Sequence, residues 1–203
     1  MRYILPTLTA CLVVGFTTQA NARGFDADMK SSVTGPIKIE VVASEDLAWR
    51  ADNLPKKLSD RGGTHLSSTF SNNGFYGQRA IDYLLEDVMD ELAEDMADAD
   101  VEVSDTAQYT LRVTLEMAKP NRPTFAQLSH EPGLSYQSYG TGGAEISAEI
   151  LDASGAVIGT MEYDHYSTFT DRYFKPGTWT DAKLAISRFS KKTVKTLASP
   201  AGS

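Results

Sequence analysis

Residues 81–96 have the sequence IDYLLEDVMDELAEDM, in which hydrophobic side chains recur at spacings of three and four. Because an α-helix completes a turn in about 3.6 residues, this spacing places them on one helix face. Acidic side chains fill the opposite face, which is typical of a solvated surface. The stretch therefore predicts an amphipathic helix whose apolar face packs on a hydrophobic core. The residues expected on that face are Ile81, Leu84, Leu85, Val88, Met89, Leu92 and Met96.

Alternation of apolar and polar residues predicts strands on both sides of this helix. Before it, Ile37, Ile39 and Val41 are separated by charged residues, the pattern of a half-buried strand. After it, the same kind of pattern predicts strands at 101–103, 109–117, 144–151 and 157–169. The sequence Asp-Ala-Ser-Gly at 152–155 is a turn, so the last two strands are expected to form a hairpin.

A second amphipathic helix is predicted near the C-terminus. Lys-Pro-Gly at 175–177 breaks the chain, Thr178 is placed to cap the helix, and Asp181 lies in the reciprocal capping position. The order of elements predicts an α+β fold: a mostly antiparallel sheet of about four strands with two amphipathic helices packed on one face. The residues expected on the buried face of the second helix are Ala182, Ile186, Phe189, Thr193 and Leu197.

The first residues have the layout of a secretory signal peptide. Arg2 supplies a positive start, an apolar run follows from 3 to 16, and Ala20-Asn21-Ala22 is the small-residue pattern that signal peptidase cuts. The apolar run is shorter than the ~20 residues that span a bilayer, so we expect cleavage before Arg23 and a periplasmic or secreted protein. The predicted organisation is a signal peptide at 1–22, a flexible lead-in at 23–35, a single α+β domain at 36–198 and a disordered tail at 199–203.

Cys11 is the only cysteine, and Leu8-Thr9-Ala10-Cys11 matches the short motif at which bacteria attach lipid. Lipidation there would anchor the protein at the outer membrane, which is the alternative to soluble export. The position of the motif favours export, because cleavage at Cys11 would leave the apolar residues 12–16 at the start of the mature chain. A mature chain without cysteine has no disulfide, no cysteine-ligated metal and no thiol nucleophile.

The chain is acidic, with 27 acidic against 19 basic residues and a formal net charge of −8 at pH 7. Such a surface repels nucleic acid and anionic lipid headgroups. We therefore expect no nucleic-acid partner, and peripheral membrane association only if Cys11 is lipidated.

Several segments of the second half share a recognisable arrangement. Residues 107–113 form a predicted strand after a long helix, and a glycine-rich stretch leads into 142–146. The turn at 152–155 and the sequence Trp-Thr-Asp-Ala-Lys at 179–183 follow. Over roughly 100–197 the chain resembles uncharacterised small lipoproteins and auxiliary proteins of the bacterial periplasm and outer membrane. The resemblance implies an envelope location, no established enzyme activity and no catalytic residues.

The residues that usually carry chemistry are sparse in this sequence. His65, His130 and His165 are far apart, without the His-x-His or His-x3-His spacing of a metal site. The sequence has no Gly-x-Ser-x-Gly motif, and the glycines at 140–143 lack the lysine of a phosphate-binding loop. We therefore expect no catalytic residues, no metal and no cofactor.

Aromatic side chains, by contrast, are concentrated in the long loop at 119–143 and the strand that follows the hairpin turn. Tyrosine and arginine are enriched at binding surfaces because they combine apolar area with polar tips. In strand register Tyr163 and Tyr166 face opposite sides, so one is expected to be buried and the other exposed. The expected contact residues are Arg122, Phe125, Tyr136, Tyr139, Tyr166, Arg172 and Tyr173.

These observations predict a non-enzymatic cell-envelope protein that acts through protein–protein or surface contacts, with an envelope protein as its partner. The alternative is a small-ligand binding domain in which the loop at 119–143 acts as a lid over the sheet. A flat tyrosine-rich patch would favour the first function, and a closed apolar pocket with convergent polar groups would favour the second.

Overall fold

The computed structural model describes residues 24–53, 76–130, 134–167 and 177–199. Several sequence predictions fall outside these residues: the signal peptide, Cys11, the tail beyond Ser199, and the contact residues Arg172 and Tyr173. His65 also lies outside them.

The described residues form one five-stranded sheet and four helices. The strands are β1 (Phe25–Met29), β2 (Ile37–Ala43), β3 (Tyr109–Lys119), β4 (Gly143–Leu151) and β5 (Val157–Tyr166). The helices are α1 (Glu45–Trp49), α2 (Gln78–Asp98), α3 (Phe125–His130) and α4 (Thr180–Ala198). The order across the sheet is β1-β5-β4-β3-β2, and both long helices, α2 and α4, pack on the same face.

The α+β class is confirmed, but the expected sheet of about four mostly antiparallel strands was incomplete. The sheet has five strands and is mixed, because β2 and β3 pair in parallel while the other pairs are antiparallel. The long helix α2 lies between these two strands in the chain and carries it back to the starting end of the sheet. Such a crossover is what parallel pairing requires.

The strand that sequence reasoning missed is β1, which lies inside the expected flexible lead-in at 23–35. It pairs with β5, placing Phe25 opposite Tyr163 and Met29 opposite Gly159. The Phe25 ring lies 6.4 Å from that of Phe189 on α4. Because β1 and β2 lie at opposite edges, the link between them crosses the whole sheet, and Val33 packs against the core on the way.

The periodicity of α2 is confirmed by its burial. Ile81, Leu84, Val88, Leu92 and Met96 are buried, while Leu85 and Met89 are half-buried at the margin of the same face. The expected buried face of α4 is also confirmed for all five of its residues, Ala182, Ile186, Phe189, Thr193 and Leu197. Hydrophobic periodicity therefore identified the two helices that cover the sheet.

The predicted cap of α4 was wrong. The helix begins at Thr180, and its N-cap residue, Trp179, makes no capping hydrogen bond through its side chain. Asp181 does not cap the helix, since it is buried and bonded to the loop that follows β3. The local pattern assigned the Asp181 carboxylate to the N-terminus of the helix, but this carboxylate is bonded instead to Asn121, which is distant in the chain.

Two polar contacts join the long helices. Lys183 forms an ion pair with Asp87, and the Ser190 hydroxyl donates a hydrogen bond of 3.0 Å to the Glu91 carbonyl. Both pairs advance along the two helices in the same sense, so α2 and α4 run in parallel. Within the described residues no helix is both long and apolar enough to cross a membrane.

The phase of α2 can be tested by replacing one core residue with a carboxylate. Leu92 is fully buried, so Leu92→Asp places an uncompensated charge in the core, at a cost of several kcal/mol against a domain stability of ~5–15 kcal/mol. We expect loss of cooperative unfolding in urea, followed by circular dichroism. Glu86→Gln on the exposed face is the control and should leave the midpoint nearly unchanged.

Candidate contact surface

The loop between β3 and β4 is held at its base by a buried pair, Asn121 and Asp181, which are 2% and 1% exposed. The Asn121 side-chain amide donates to the Asp181 carboxylate. The Asn121 side-chain oxygen accepts from the backbone N–H of Asp181 at 2.8 Å. The Gly142 N–H donates to the same carboxylate at 3.0 Å. On its main chain, Asn121 donates to the Thr178 carbonyl and accepts from the Gly140 N–H at 2.8 Å. The pair therefore joins the start of the loop, its end and the start of α4.

Within the loop, the short helix α3 presents Phe125 to solvent. The Thr124 hydroxyl accepts from the Gln127 N–H at 3.2 Å, and the Gln127 side chain accepts from the Thr124 N–H at 2.9 Å. This is a reciprocal capping box, and both of its side chains are buried. Phe125, between them, is 88% exposed. A rigid turn thus holds a large apolar side chain in water.

The same turn is docked against the start of α2. Gly77 has a φ of 83°, and a Cβ added there would lie only 2.9 Å from the Cβ of Ala126. Positive φ favours glycine, and the missing side chain lets α3 approach closely. The position of Phe125 is therefore fixed by α2 as well as by the cap.

Arg122, at the start of the loop before α3, contacts Tyr136, which follows α3. The guanidinium donates to the Tyr136 carbonyl at 2.9 Å and lies 5.8 Å from the centre of its ring. Tyr136 is 53% exposed, and Tyr139 is also exposed. Arg122, Phe125, Tyr136 and Tyr139 are termed the loop surface below. The structure thus places four of the predicted contact residues in one loop, with three aromatic rings exposed.

Tyr166, also a predicted contact residue, has different neighbours. Its ring lies across Gly143, where a Cβ would be 2.7 Å from the Tyr166 Cα and would also clash with the His165 carbonyl. Its hydroxyl donates to Glu145 at 2.7 Å, and the Lys119 ammonium lies 4.7 Å from its ring centre. Burial, and next the bond to Glu145, raise the pKa of Tyr166, so it remains a protonated donor.

The two tyrosines of β5 face opposite sides of the sheet as predicted, but Tyr166 is half-buried rather than exposed. Tyr163 is 7% exposed and faces the helices, whereas Tyr166 is partly exposed on the opposite face. Tyr163 packs against Phe25 with ring centres 6.5 Å apart, so it belongs to the core rather than to a contact surface.

At the base of the loop lies an open cleft of about 410 Å³ that sequence reasoning did not identify. The register of β3 against β4 shifts between Leu115 and Met117, so that Leu115 faces the core while Glu116 and Met117 are directed to the uncovered side of the sheet. The cleft is lined by Ser44, Glu45, Asp46, Glu116, Met117 and Glu145, and is termed the acidic cleft below.

Hydrogen bonds orient two of the carboxylates in the acidic cleft. Glu116 accepts from the Ser147 hydroxyl at 2.6 Å, and Glu145 accepts from Tyr166. The Ser44 hydroxyl accepts from the Leu47 N–H at 3.2 Å and so caps the short helix α1, which brings Glu45 and Asp46 to the same cleft. The alternation of apolar and polar residues in β4 is sufficient to predict that Glu145 lies on the outer face of the sheet. The bulge at Glu116 has no comparable signal in the sequence.

The face of the sheet that no described helix covers is polar, and its pattern of charges differs from one part to another. Near β2, Glu40 is paired with Lys38 at 2.8 Å and with Arg112 at 3.4 Å. Towards β5, like charges lie directly opposite each other: Glu145 faces Asp164, and Asp26 faces Glu162. Like charges directly opposite each other destabilise a sheet.

The histidines and acidic residues provide no metal centre among the described residues, since no group of three or more potential ligands is present there. His165 Nε2 lies 3.1 Å from an Arg188 nitrogen. Because arginine can only donate, His165 accepts at Nε2 in this arrangement. His130 lies at the end of α3.

No family model matches the chain, and no curated protein matches it. A PelC dodecamer from Paraburkholderia phytofirmans is similar with a TM-score of 0.42 and 11% identity, covering 88% of this chain and 99% of that chain. A point variant of that PelC gives 0.42 and 12%, covering 83% and 95%. A minor lipoprotein from Acinetobacter baumannii gives 0.32 and 9%, covering 79% and 91%. All three TM-scores lie below 0.5.

The buried pair at the base of the loop can be tested by Asn121→Ala. The substitution removes bonds to a buried carboxylate, and losing a partner of a buried polar group costs about 1–3 kcal/mol, or more for a charged group. We expect the free energy of unfolding in urea to fall by about 3 kcal/mol. Gln78→Ala, which removes an exposed amide that donates to Asp82, should change it by less than ~0.5 kcal/mol. Equal losses would show that the pair does not support the fold.

The close approach of Tyr166 to β4 predicts that Gly143→Ala is destabilising. The new methyl group would overlap the backbone of β5, and overpacking of this kind costs roughly 1–3 kcal/mol. Gly24→Ala is the matched control, because a Cβ there meets nothing within 4 Å. Urea midpoints of the two variants provide the comparison, and a stable Gly143→Ala protein would contradict the described packing.

Proposed function

We propose that this protein is a non-enzymatic component of the bacterial cell envelope that acts through protein–protein contacts, and that the loop surface is its contact element. The observation that carries the proposal is Phe125, which is 88% exposed between the buried capping residues Thr124 and Gln127. The fold gives this ring a fixed position without giving it apolar cover.

Exposed single hydrophobic residues are common on protein surfaces, but this one is accompanied by others. Tyr136 and Tyr139 are exposed in the same loop, and Arg122 is held against Tyr136. Aromatic and arginine side chains of this kind supply most of the binding energy in many interfaces, because they bury large areas and lose few rotamers. The loop surface therefore has the composition of a contact site.

The attachment of the loop supports a contact element more than a lid. Asn121 bonds to both Gly140 and Asp181, so both ends of the loop are tied to the start of α4. A lid over a ligand would have to open, and opening would break buried hydrogen bonds. A small-ligand binding domain remains the alternative function. The acidic cleft is open rather than enclosed, so it is not the closed apolar pocket that this alternative predicts.

The envelope location belongs to the same proposal. The signal-peptide pattern at 1–22 supports export to the periplasm or beyond, with outer-membrane anchoring through Cys11 as the alternative. A soluble partner or an envelope protein would then meet the loop surface in that compartment.

The proposal is tested by capture of partners from an envelope extract with the tagged mature protein, followed by mass spectrometry. Phe125→Ala should reduce the recovered partner by at least about tenfold, since truncating a central aromatic residue commonly costs ~2 kcal/mol or more. Tyr83→Ala is the control, because it removes a 46% exposed aromatic ring from α2, outside the loop. Unchanged capture by Phe125→Ala, or an equal loss with Tyr83→Ala, would place the contact elsewhere.

A further inference from the structure

We propose that a second copy of this chain pairs with the open edge of β2, residues 39–43, so that the two sheets join through an antiparallel contact between their β2 strands. This inference goes beyond the proposed function and uses a different part of the molecule from the loop surface. Three observations carry it: hydrogen-bond groups left unpaired along β2, apolar side chains beside them, and the arrangement of charge on the two edges of the sheet.

The unpaired groups follow from the direction of the main chain in β2, the last strand of the sheet. The Ile37 N–H donates to the Glu102 carbonyl, and the Ser104 N–H donates to the Ile37 carbonyl, so both groups of Ile37 are directed away from β3. This direction alternates along a strand. The other residues of β2 whose main-chain groups are directed away from β3 are therefore Ile39, Val41 and Ala43. Among the described residues these groups have no hydrogen-bond partner.

The described chain leaves the open edge uncovered at both of its ends. At the start of β2, the segment that pairs with Ile37 makes no further pairing with the strand and enters a turn. After Ala43 the chain crosses the end of β3, where the Ser44 hydroxyl donates to the Glu116 carbonyl at 2.8 Å. The helix α1 thus turns over β3 and not across the edge. A row of unpaired N–H and C=O groups is a template for a further strand.

Apolar side chains border the open edge on the side of the helices. The two polar contacts that join α2 to α4 involve Asp87 and Glu91. At about 3.6 residues per turn, Leu85 and Met89 fall on the opposite side of α2, and α2 packs on β2. Both side chains are half-buried, and Val42 on the strand itself is 44% exposed. A strand added to β2 covers apolar area that the described fold leaves in water.

The charges on the other edge of the sheet prevent the same kind of pairing there. The Lys30 N–H donates to the Ile158 carbonyl, so the alternate residues of β1, including Ala27, have their main-chain groups directed outwards. Any pairing of β1 with its own copy through these groups sets Asp26 or Asp28 opposite an aspartate of the second copy. Directly opposed like charges destabilise a sheet, and charged side chains are a common protection of edge strands.

β2 has no such protection when the pairing is centred on Val41. This register places Ile39 opposite Ala43 of the second copy, so every outward N–H and C=O group gains a partner. It places Glu40 opposite Val42 of the second copy, so no charge lies directly opposite a like charge. Glu40 already forms ion pairs within its own chain. The open edge is therefore self-complementary, as a two-fold interface requires.

The first test compares proline substitutions on the two edges by analytical ultracentrifugation of the mature protein over a dilution series. Proline removes an N–H, and at an outward position it leaves the pairing within the chain intact. We expect the unaltered protein to form a dimer and Val41→Pro to weaken dimerisation at least about tenfold. Ala27→Pro, the matched control on β1, should dimerise like the unaltered protein. Cooperative unfolding in urea checks that both variants are folded.

The second test examines the register by changing only the charge at the exposed position Val42. Val42→Glu sets a carboxylate opposite Glu40 of the second copy and should raise the dimer Kd about fivefold or more, whereas Val42→Lys should not raise it. Ala153→Glu and Ala153→Lys make the same charge changes in the exposed turn between β4 and β5, which β3 separates from β2. Their Kd values should agree within about twofold at physiological salt.

Four outcomes would overturn the proposal. The first is a mature protein that stays monomeric at every concentration, and the second is a dimer that Ala27→Pro disrupts and Val41→Pro does not. The third is an equal effect of Val42→Glu and Val42→Lys. The fourth is a monomeric protein whose Val41→Pro variant loses a partner captured from envelope extract, because the edge would then bind a foreign strand and not a second copy.

Discussion

Asn121 and Asp181 form a buried polar pair on which the attachment of the loop between β3 and β4 to the start of α4 depends. One carboxylate accepts from the Asn121 amide and the Gly142 N–H, while the main chain of Asn121 bonds to Thr178 and Gly140. Three chain segments that are distant in sequence therefore share one set of hydrogen bonds. Inside a protein such a network is strong when every member is bonded and costly when one is removed. The loop surface keeps its shape because its base belongs to the interior.

Among the described residues, α2 and α4 cover one face of the sheet and no helix covers the other. The covered face is filled by α2, α4 and the apolar residues of the strands. The opposite face carries charged and hydroxyl side chains, which remain hydrated and need no apolar cover. The bulge at Glu116 adds one more carboxylate to that face, next to the loop that carries the exposed aromatic rings. The acidic cleft and the loop between β3 and β4 thus lie at the same end of the sheet.

Periodicity predicted the elements whose burial is regular. The stripe from Ile81 to Met96 and the alternation from Ala144 to Ile150 both repeat often enough to be recognised, and both are buried as expected. β1 was missed because its five residues include two exposed aspartates and only Phe25 and Met29 reach partial burial. The cap of α4 was misassigned because Asp181 fits the local pattern, yet its partner Asn121 lies 60 residues away.

The sequence by itself determined the α+β class, the two covering helices, the β4–β5 hairpin and the concentration of aromatic residues in the loop, because each depends on residues close together in the chain. The tertiary structure alone decided the parallel pairing of β2 with β3, the use of Asp181 and the acidic cleft. It also decided that Phe125 stays in water while its neighbours Thr124 and Gln127 are buried. These features depend on contacts between distant segments, and no local pattern records which distant residues will meet.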